Sequence, residues 1–230
     1  MNEFLSQFLF FGAVISLLGY ELGLILKKKF QMAIFNPLLI GVISVMIVLI
    51  VFDIDYDTYN AGGQYISYLL TPATVCLAIP LYEQLNLLKK NIKAVIAGIL
   101  SGTLSSFVSV FLLAKLFQFS HEQYVTLLPK SITTAIGMGV SEELGGIVTI
   151  TVAVIIITGI LGNVIADTIF RLFHIKEPIA KGLALGTSAH AIGTAKAMEL
   201  GPVEGAMSSL SIAVAGLITV IGAPFFAGFL

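Results

Sequence analysis

The sequence predicts an all-α polytopic membrane protein with about six full transmembrane helices and two broken or re-entrant segments in an inverted-repeat arrangement. Of the 230 residues, 57% are hydrophobic and 11% are charged, and the mean hydropathy is +1.02. This composition is incompatible with a water-soluble surface. Two Gly- and hydroxyl-rich apolar segments resemble each other, which suggests the repeat. No polar linker interrupts the chain, so we expect a single integral membrane domain over residues 1–230.

Six apolar runs approach the roughly 20 residues that a membrane-spanning helix needs. They lie at residues 6–26, 32–52, 65–82, 93–115, 146–169 and 204–228. We interpret the first run as a retained helix and not as a cleaved signal. Glu3 stands where a signal would carry basic residues, and Lys27-Lys28-Lys29 follows the apolar run instead of preceding it.

The charges between the runs predict the orientation of the helices. Basic and non-basic loops alternate, in the order Lys27–Lys29, Asp53–Asp57, Lys89–Lys93, His121–Glu122 and Arg171–Lys181. Short loops rich in Lys and Arg stay in the cytoplasm. We therefore expect both termini and the Asp-rich loop to face outward.

Two apolar segments remain, at about 125–144 and 183–201, and neither can cross the membrane fully without breaking this alternation. Their sequences are related: Ser131 to Gly137 aligns with Ser188 to Gly193, and each segment ends in Glu-Leu-Gly before one long run. A fainter third copy covers residues 69–85, with Pro72 and Pro80. The runs that follow the two clear copies should point in opposite directions. This inverted relationship is typical of secondary transporters, in which broken helices meet near the midplane.

A broken helix exposes backbone N–H groups at its N-terminal end, where they favour a carboxylate or phosphate. We therefore predict that a small carboxylate binds between the two segments. The candidate binding residues combine hydroxyls, glycines and basic groups: Ser131, Thr133, Thr134, Gly137, Ser188, His190, Gly193, Thr194 and Lys196. The compensating charge would come from Lys196 or Lys130, and a break at Gly193 would let His190 and Lys196 reach one cavity. Candidates for ion or proton coupling are Glu142, Glu143 and His190.

The alternative for each of these residues is structural. Gly, Ser and Thr also allow membrane helices to pack closely, and Lys130, Glu142 and Glu143 are also compatible with positions at the headgroup level. His190 and Lys196 are harder to explain in this way, because ionisable groups at membrane depth usually serve a substrate, ion or proton path.

Several classes of function are disfavoured by the sequence. The formal charge of −1 gives no basic face for a nucleic acid. Cys76 is the only cysteine, which excludes an intramolecular disulfide and a cysteine-based metal site. Phosphate-binding, hydrolase and zinc-protease motifs are absent. We therefore expect that the protein is not an enzyme and that it binds neither a cofactor nor a metal ion.

Three runs, at residues 71–82, 129–142 and 186–194, resemble the LrgB/CidB family of bacterial membrane proteins. The resemblance covers nearly the whole chain. It implies a multi-pass protein of the bacterial plasma membrane, termed antiholin-like and often paired with a smaller LrgA/CidA-type membrane partner. It also implies transport of pyruvate or a related small carboxylate, because the similar plastid protein carries glycolate and glycerate.

Two hypotheses therefore remain open. The first is a secondary transporter of small monocarboxylates such as pyruvate or glycolate, coupled to a proton or another ion. The second is an antiholin-like regulator or pore component that modulates cell lysis with a holin-like partner. The related, Gly-broken segments favour the transporter, since helices that only associate do not need them. We expect a homo-oligomer, and six spans are few enough to allow a dimer.

The predicted orientation can be tested by cysteine labelling in a variant that lacks Cys76. Cysteines placed near Asp55 should react with a membrane-impermeant reagent from outside the cell. Cysteines near Lys90 and Lys176 should react only from the cytoplasm. The opposite pattern would reverse the orientation, but it would leave the relative direction of the two segments unchanged.

Overall fold

The computed structural model describes residues 8–30 and 35–230, and the regular structure in these ranges is helical. The starts of the first two predicted spans, at residues 6 and 32, lie outside the described residues. Twelve helices occur in the described ranges: α1 (Phe11–Phe30), α2 (Pro37–Val51), α3 (Tyr56–Ser67), α4 (Leu70–Cys76), α5 (Ala78–Glu83), α6 (Leu85–Lys90), α7 (Ile92–Leu116), α8 (His121–Leu127), α9 (Thr134–Glu143), α10 (Val148–Leu172), α11 (Pro178–Leu200) and α12 (Pro202–Ala227).

The helices form two compact units, of which the first ends at Cys76 and the second comprises Leu77–Leu230. In the first unit α1 packs on α2 and α3. A Cβ atom on Gly19 would lie 3.1 Å from the carbonyl oxygen of Gly41, so small residues bring the two backbones together. Ser16 Oγ lies 2.8 Å from the hydroxyl of Tyr59, which links α1 to α3.

The predicted spans at 93–115, 146–169 and 204–228 are confirmed as the long helices α7, α10 and α12. They contain 25, 25 and 26 residues, or about 37 Å of helix each. A fourth stretch, Tyr56–Glu83, also has the length and hydropathy of a membrane span. It contains the predicted span at 65–82, where short helices replace a regular one because Pro72 and Pro80 lack the N–H that a helix needs.

The first two predicted spans differ from this pattern. Helix α1 has 20 residues, but its last turn contains Lys27, Lys28 and Lys29. Helix α2 has only 15 residues, about 22 Å, which is shorter than the hydrocarbon core. Four segments of the described chain are therefore long and apolar enough to cross a membrane, with α2 as a shorter apolar helix. The protein is an all-α, multi-pass membrane protein.

The segment at 125–144 forms a helical hairpin, hairpin 1 (residues 121–143), in which α8 enters, the chain turns, and α9 returns. Thr151 Oγ1 of α10 lies 2.9 Å from the carbonyl oxygen of Thr126 and 2.7 Å from Ser141 Oγ. Thr126 and Ser141 are 15 positions apart in sequence, and in a straight helix they would be separated by about 22 Å. Hairpin 1 therefore folds back on itself.

The segment at 183–201 is also re-entrant, and we name α11 hairpin 2 (Pro178–Leu200). His190 has a φ of 42° and a ψ of −133°, which breaks the helix into residues 178–189 and 191–200. The backbone of Gly193 packs directly against the carbonyl oxygen of Leu185, eight residues earlier. This approach is possible only if the second half runs back along the first, and it leaves no space for a Cβ on Gly193.

Neighbouring residues establish the direction of each element. The first half of hairpin 2 runs parallel to α7, since Gly98 lies beside Leu183 and Gly102 beside Thr187. It is also parallel to α12, where Gly182 faces Met207 and Gly186 faces Ser211.

The second half of hairpin 2 runs parallel to α10, because Ile192 lies beside Asn163 and Lys196 beside Asp167. It is antiparallel to α12, where Thr194 meets Ser208 and Met198 meets Gly205. Helices α10 and α12 therefore point in opposite directions, and the two hairpins enter from opposite sides. This geometry agrees with the predicted inverted repeat.

Helices α7 and α12 provide the core on which both hairpins pack. One buried apolar cluster joins them to hairpin 1 through Phe107, Tyr124 and Ala223, and the Tyr124 hydroxyl donates to the Phe226 carbonyl oxygen over 2.9 Å. A second cluster joins them to hairpin 2 through Ile99, Leu183 and Met207. Each hairpin is thus covered by protein, as irregular backbone in a membrane requires.

Close packing of hairpin 2 on α12 depends on Gly186. A Cβ at this position would lie 2.5 Å from the carbonyl oxygen of Ser208, and the backbone there cannot give way cheaply. We expect Gly186→Ala to lower the free energy of unfolding by about 1–3 kcal/mol. Gly139→Ala is the matched control, because nothing lies within 4 Å of a Cβ there. Thermal unfolding of both purified variants measures the difference, and equal unfolding temperatures would contradict this packing.

Candidate functional site

The tips of the two hairpins lie at the middle of the long helices. His190, at the tip of hairpin 2, has its ring against Gly159, near the centre of α10. Ser131, at the tip of hairpin 1, has its Oγ 3.0 Å from Ser106 Oγ, near the centre of α7. Since α7 and α10 are the length of a membrane crossing, both tips lie at about the bilayer midplane.

The tips border a cavity of about 420 Å³, which we name the tip cavity. Its polar lining residues come from three elements: Lys130 from hairpin 1, Thr158 from α10 and Ser188 from hairpin 2. The remaining wall is apolar and consists mainly of α10, from Leu161 to Phe170. A cavity of this kind has the size and composition of a small-molecule site, with few polar groups in an apolar wall.

Lys130 is the charged group of the tip cavity. Its Nζ donates to Ser131 Oγ over 3.0 Å, and no acidic side chain of the described residues forms an ion pair with it. A charge at the centre of a membrane helix costs at least about 2.5–3.5 kcal/mol. An ammonium group beside a cavity at that depth is therefore placed to bind an anion.

The N-terminal end of α9 follows Lys130 closely and adds backbone donors. Thr133 is its N-cap and makes no side-chain cap hydrogen bond, and Thr134 is its first residue. The first N–H groups of any helix have no partner within that helix. At this depth they add positive potential close to the Lys130 ammonium.

His190 positions the tip of hairpin 2. Its side chain is buried, and Nε2 lies 2.9 Å from the carbonyl oxygen of Ile155. A carbonyl oxygen only accepts hydrogen bonds, so Nε2 carries the hydrogen. The ring therefore anchors the helix break to α10. A role for His190 in binding or proton transfer stays a prediction, because it does not line the tip cavity.

The helix break at His190 changes the expected position of Lys196. The sequence suggested a break at Gly193 that would let His190 and Lys196 reach one cavity. The predicted position of the break was wrong, because the non-helical residue is His190. Lys196 instead lies toward the base of hairpin 2, where its Nζ contacts Asp167 Oδ2 at 2.7 Å and Glu199 Oε2 at 4.0 Å. Its charge is therefore balanced within the protein. Of the two lysines that the sequence offered as the substrate charge, Lys130 is the one at the tip.

The other predicted site residues divide into three groups. Ser131 lies at the tip, and the exposed Ser188 lies beside the tip cavity with its hydroxyl donating to the Ala184 carbonyl oxygen over 2.6 Å. Thr194 and Gly137 are buried within the packing: Thr194 Oγ1 lies 2.7 Å from Ser208 Oγ, and Gly137 faces the side chain of Ile155. Their predicted contact with substrate would require the hairpins to move.

Glu142 and Glu143 form the third group, because both are exposed at the end of α9. They lie about ten residues beyond the tip, or about 15 Å along the helix. Hairpin 1 thus brings Ser131 and Thr133 to the midplane and leaves the two carboxylates at its base. Their role in ion coupling stays a prediction.

Sequence reasoning did not identify several polar residues at the tips. A second space of about 10 Å³ lies between the tips and is lined by hydroxyls of Ser106, Ser131, Thr187 and Thr219. This is about the smallest space that can hold one water molecule. Ser106, Thr158 and Thr219 lie inside long apolar runs and outside the repeated motif, so no pattern in the sequence distinguished them. Within the described residues, no three His, Cys, Asp or Glu side chains group as metal ligands.

The ion pair between Lys196 and Asp167 can be tested by charge removal. The Lys196 side chain is only 14% exposed, so Asp167→Asn should lower the free energy of unfolding by about 1–3 kcal/mol. The double variant Asp167→Asn/Lys196→Met should recover part of this loss, because the largely buried ammonium group is removed together with its main partner. Thermal unfolding of the single and double variants measures the coupling. A stable Lys196→Met protein with weakened carboxylate binding would instead support a substrate role for Lys196.

Comparison with known proteins gives a consistent assignment. The LrgB-like family matches residues 16–229. The holin-like protein CidB of Staphylococcus epidermidis is 39% identical over 224 residues, which cover 97% of each chain. The antiholin-like protein LrgB of Bacillus cereus is 38% identical over 222 residues, or 96% of each chain. No solved structure matches this chain. Together with the helical, membrane-spanning architecture, these similarities show that the chain belongs to the LrgB-like family.

Proposed function

We propose that this protein is a secondary transporter of small monocarboxylates, and that the anion binds at the hairpin tips. The observation that carries the proposal is Lys130, a cation beside a largely apolar cavity at membrane depth, whose contact in the structure is with Ser131 Oγ. The N-terminal end of α9 supplies further donors, and the hydroxyl of Ser188 would join them by rotating away from the Ala184 carbonyl oxygen. One compensating positive charge suits a single carboxylate.

The shape of the tip cavity supports a short substrate with one charged end. Its volume of about 420 Å³ lies at the lower end of the range for ligand pockets, roughly 300–1,000 Å³. The carboxylate would face Lys130 and Ser188, while the apolar wall of α10 would cover the carbon chain. Pyruvate, glycolate and lactate all match this description.

The hairpins also supply the elements that alternating access requires. The tip cavity extends along α10 from Thr158 toward Phe170, near the end of that helix. A groove of about 500 Å³ follows α7 and the first half of hairpin 2 from Asn91 to Ser105. Both lead toward the side from which hairpin 2 enters. Movement of the oppositely inserted hairpins would expose the tips to the other side, as in other inverted-repeat transporters.

The second candidate function is regulation of cell lysis with a membrane partner. It is favoured by the names of the similar proteins, holin-like CidB and antiholin-like LrgB. Such a regulator would associate with a smaller LrgA/CidA-type protein or with further copies of this chain. The exposed apolar faces of the long helices would serve either contact, as well as lipid. A transporter can also influence lysis indirectly, through metabolite and proton gradients.

The proposed anion site can be tested in proteoliposomes that contain this chain alone. Labelled pyruvate, glycolate and lactate should accumulate in them. Lys130→Gln should weaken the apparent affinity about 10- to 150-fold, because a charge-assisted hydrogen bond to a desolvated carboxylate is worth about 1.5–3 kcal/mol. Lys115→Gln is the matched control: Lys115 lies in the last turn of α7 beside Phe111 and away from the tip cavity.

The outcomes separate the two functions. Unchanged affinity in a folded Lys130→Gln protein that still transports would refute the anion site. Failure of the unmodified chain to move any of the three anions, with or without a holin-like partner, would favour the regulator.

A further inference from the structure

We propose that the protein has a second anion site, at the membrane surface, that binds a phosphate group. The site is a cavity of about 650 Å³ between the end of α10 and the base of hairpin 2, and we name it the basic pocket. Its lining includes four basic side chains: Arg171, His174, Lys176 and Lys181. It shares only Phe170 with the tip cavity, so it is separate from the proposed transport site.

The turn after α10 brings these side chains together. His174 has a φ of 54°, and the N–H of Ile175 donates to the carbonyl oxygen of Phe170 over 2.8 Å. This is the hydrogen bond of a Schellman helix end, which usually has Gly at the left-handed position. The reversal places Arg171, His174 and Lys176 around one space, and Lys181 of the next helix completes it.

Two of the cations are held by contacts that leave their charge available. Arg171 Nε donates to the backbone carbonyl oxygen of Asp167 over 3.2 Å, so the other guanidinium nitrogens can take part in further hydrogen bonds. Lys181 Nζ lies 5.9 Å from the centre of the Phe170 ring, which is within the range of a cation–π contact. Both side chains are partly ordered before any ligand binds.

The charge of the basic pocket is not balanced from within. Asp167 is the acidic residue in its lining, and that carboxylate already contacts Lys196 at 2.7 Å. In the described part of the chain, Arg171, Lys176 and Lys181 form no ion pair. Glu177 follows Lys176 in sequence but lines the neighbouring groove along α7. A multiply charged anion in the pocket would therefore be surrounded by these basic side chains. The one acidic group beside it, Asp167, is already neutralised by Lys196.

A phosphate group fits this arrangement better than a carboxylate. The guanidinium group of Arg can bind two phosphate oxygens at once, and lysine side chains add point charges around it. The pocket lies at the end of membrane-spanning helices on the side that carries Lys89 and Lys90, which we predict to be cytoplasmic. Basic pockets in that position bind the headgroups of anionic lipids. A soluble phosphate compound offers the same chemistry.

Basic residues at helix ends also anchor topology without binding anything. The structure offers a matched control for that explanation, because Lys89 and Lys90 are exposed basic residues on the same side of the membrane but outside the pocket. Arg171→Gln/Lys176→Gln and Lys89→Gln/Lys90→Gln each remove two positive charges. Arg171 and Lys176 are exposed as well, so both double variants should fold, and Lys176→Gln alone provides a milder form of the pocket variant.

The experiment measures binding of two probes to the purified full chain. The first probe is phosphatidylglycerol, compared with phosphatidylcholine, and native mass spectrometry counts the retained lipids. The second is inorganic phosphate, compared with chloride at equal ionic strength, and thermal unfolding reports binding. We expect the pocket variant to weaken at least one probe roughly 10-fold or more, and the Lys89/Lys90 variant to change it less than about 2-fold.

Each outcome has a definite meaning. Loss of phosphatidylglycerol binding alone would assign the pocket to a lipid headgroup, and loss of inorganic phosphate binding would assign it to a soluble phosphate compound. Absence of binding for both probes would overturn the proposal. Equal losses in the two double variants would overturn it too, because they would show a general effect of surface charge.

Discussion

The fold depends on the need to satisfy backbone polar groups where there is no water. A hairpin that ends at the membrane midplane leaves N–H and C=O groups unpaired at its tip, and lipid cannot pair with them. The protein meets this need by covering both tips with α7, α10 and α12. At the tip of hairpin 2, the side chain of Asn163 in α10 donates to the Ile192 carbonyl oxygen, and the Thr194 hydroxyl donates to the His190 carbonyl oxygen. The long helices are therefore both membrane spans and walls for the hairpins.

This arrangement also separates the ionisable groups by depth. Lys130 lies at a tip, beside a largely apolar cavity, and the described acidic residues form no ion pair with it. Lys196 lies near the membrane surface and is paired with Asp167. The same type of residue thus has two physical roles: one lysine is available to an external anion, and the other joins hairpin 2 to α10. The basic pocket beyond that ion pair adds a third environment, in which several cations share one space.

Much of the architecture could be predicted from the sequence because membranes restrict it so strongly. The long helices follow from apolar length, and the two hairpins follow from Gly- and hydroxyl-rich segments that break the alternation of charged loops. Their related motifs also predicted opposite directions. The position of the break in hairpin 2 could not be predicted, because His190 adopts a left-handed φ that usually requires Gly. Gly193, the expected position of the break, is needed for close packing against Leu185.

The sequence by itself determined the class of protein, the location of the interrupted segments and the set of polar residues available at membrane depth. These properties depend on the local composition and pattern of the sequence, because the hydrocarbon core of the bilayer requires apolar segments of a fixed length. Only the tertiary structure decided which of those residues meet. Lys196 pairs with Asp167, which is 29 residues away in sequence. Lys130, Thr158 and Ser188 meet around one cavity because three separate elements fold together. Contacts of that range arise from packing between helices, and no local pattern encodes them.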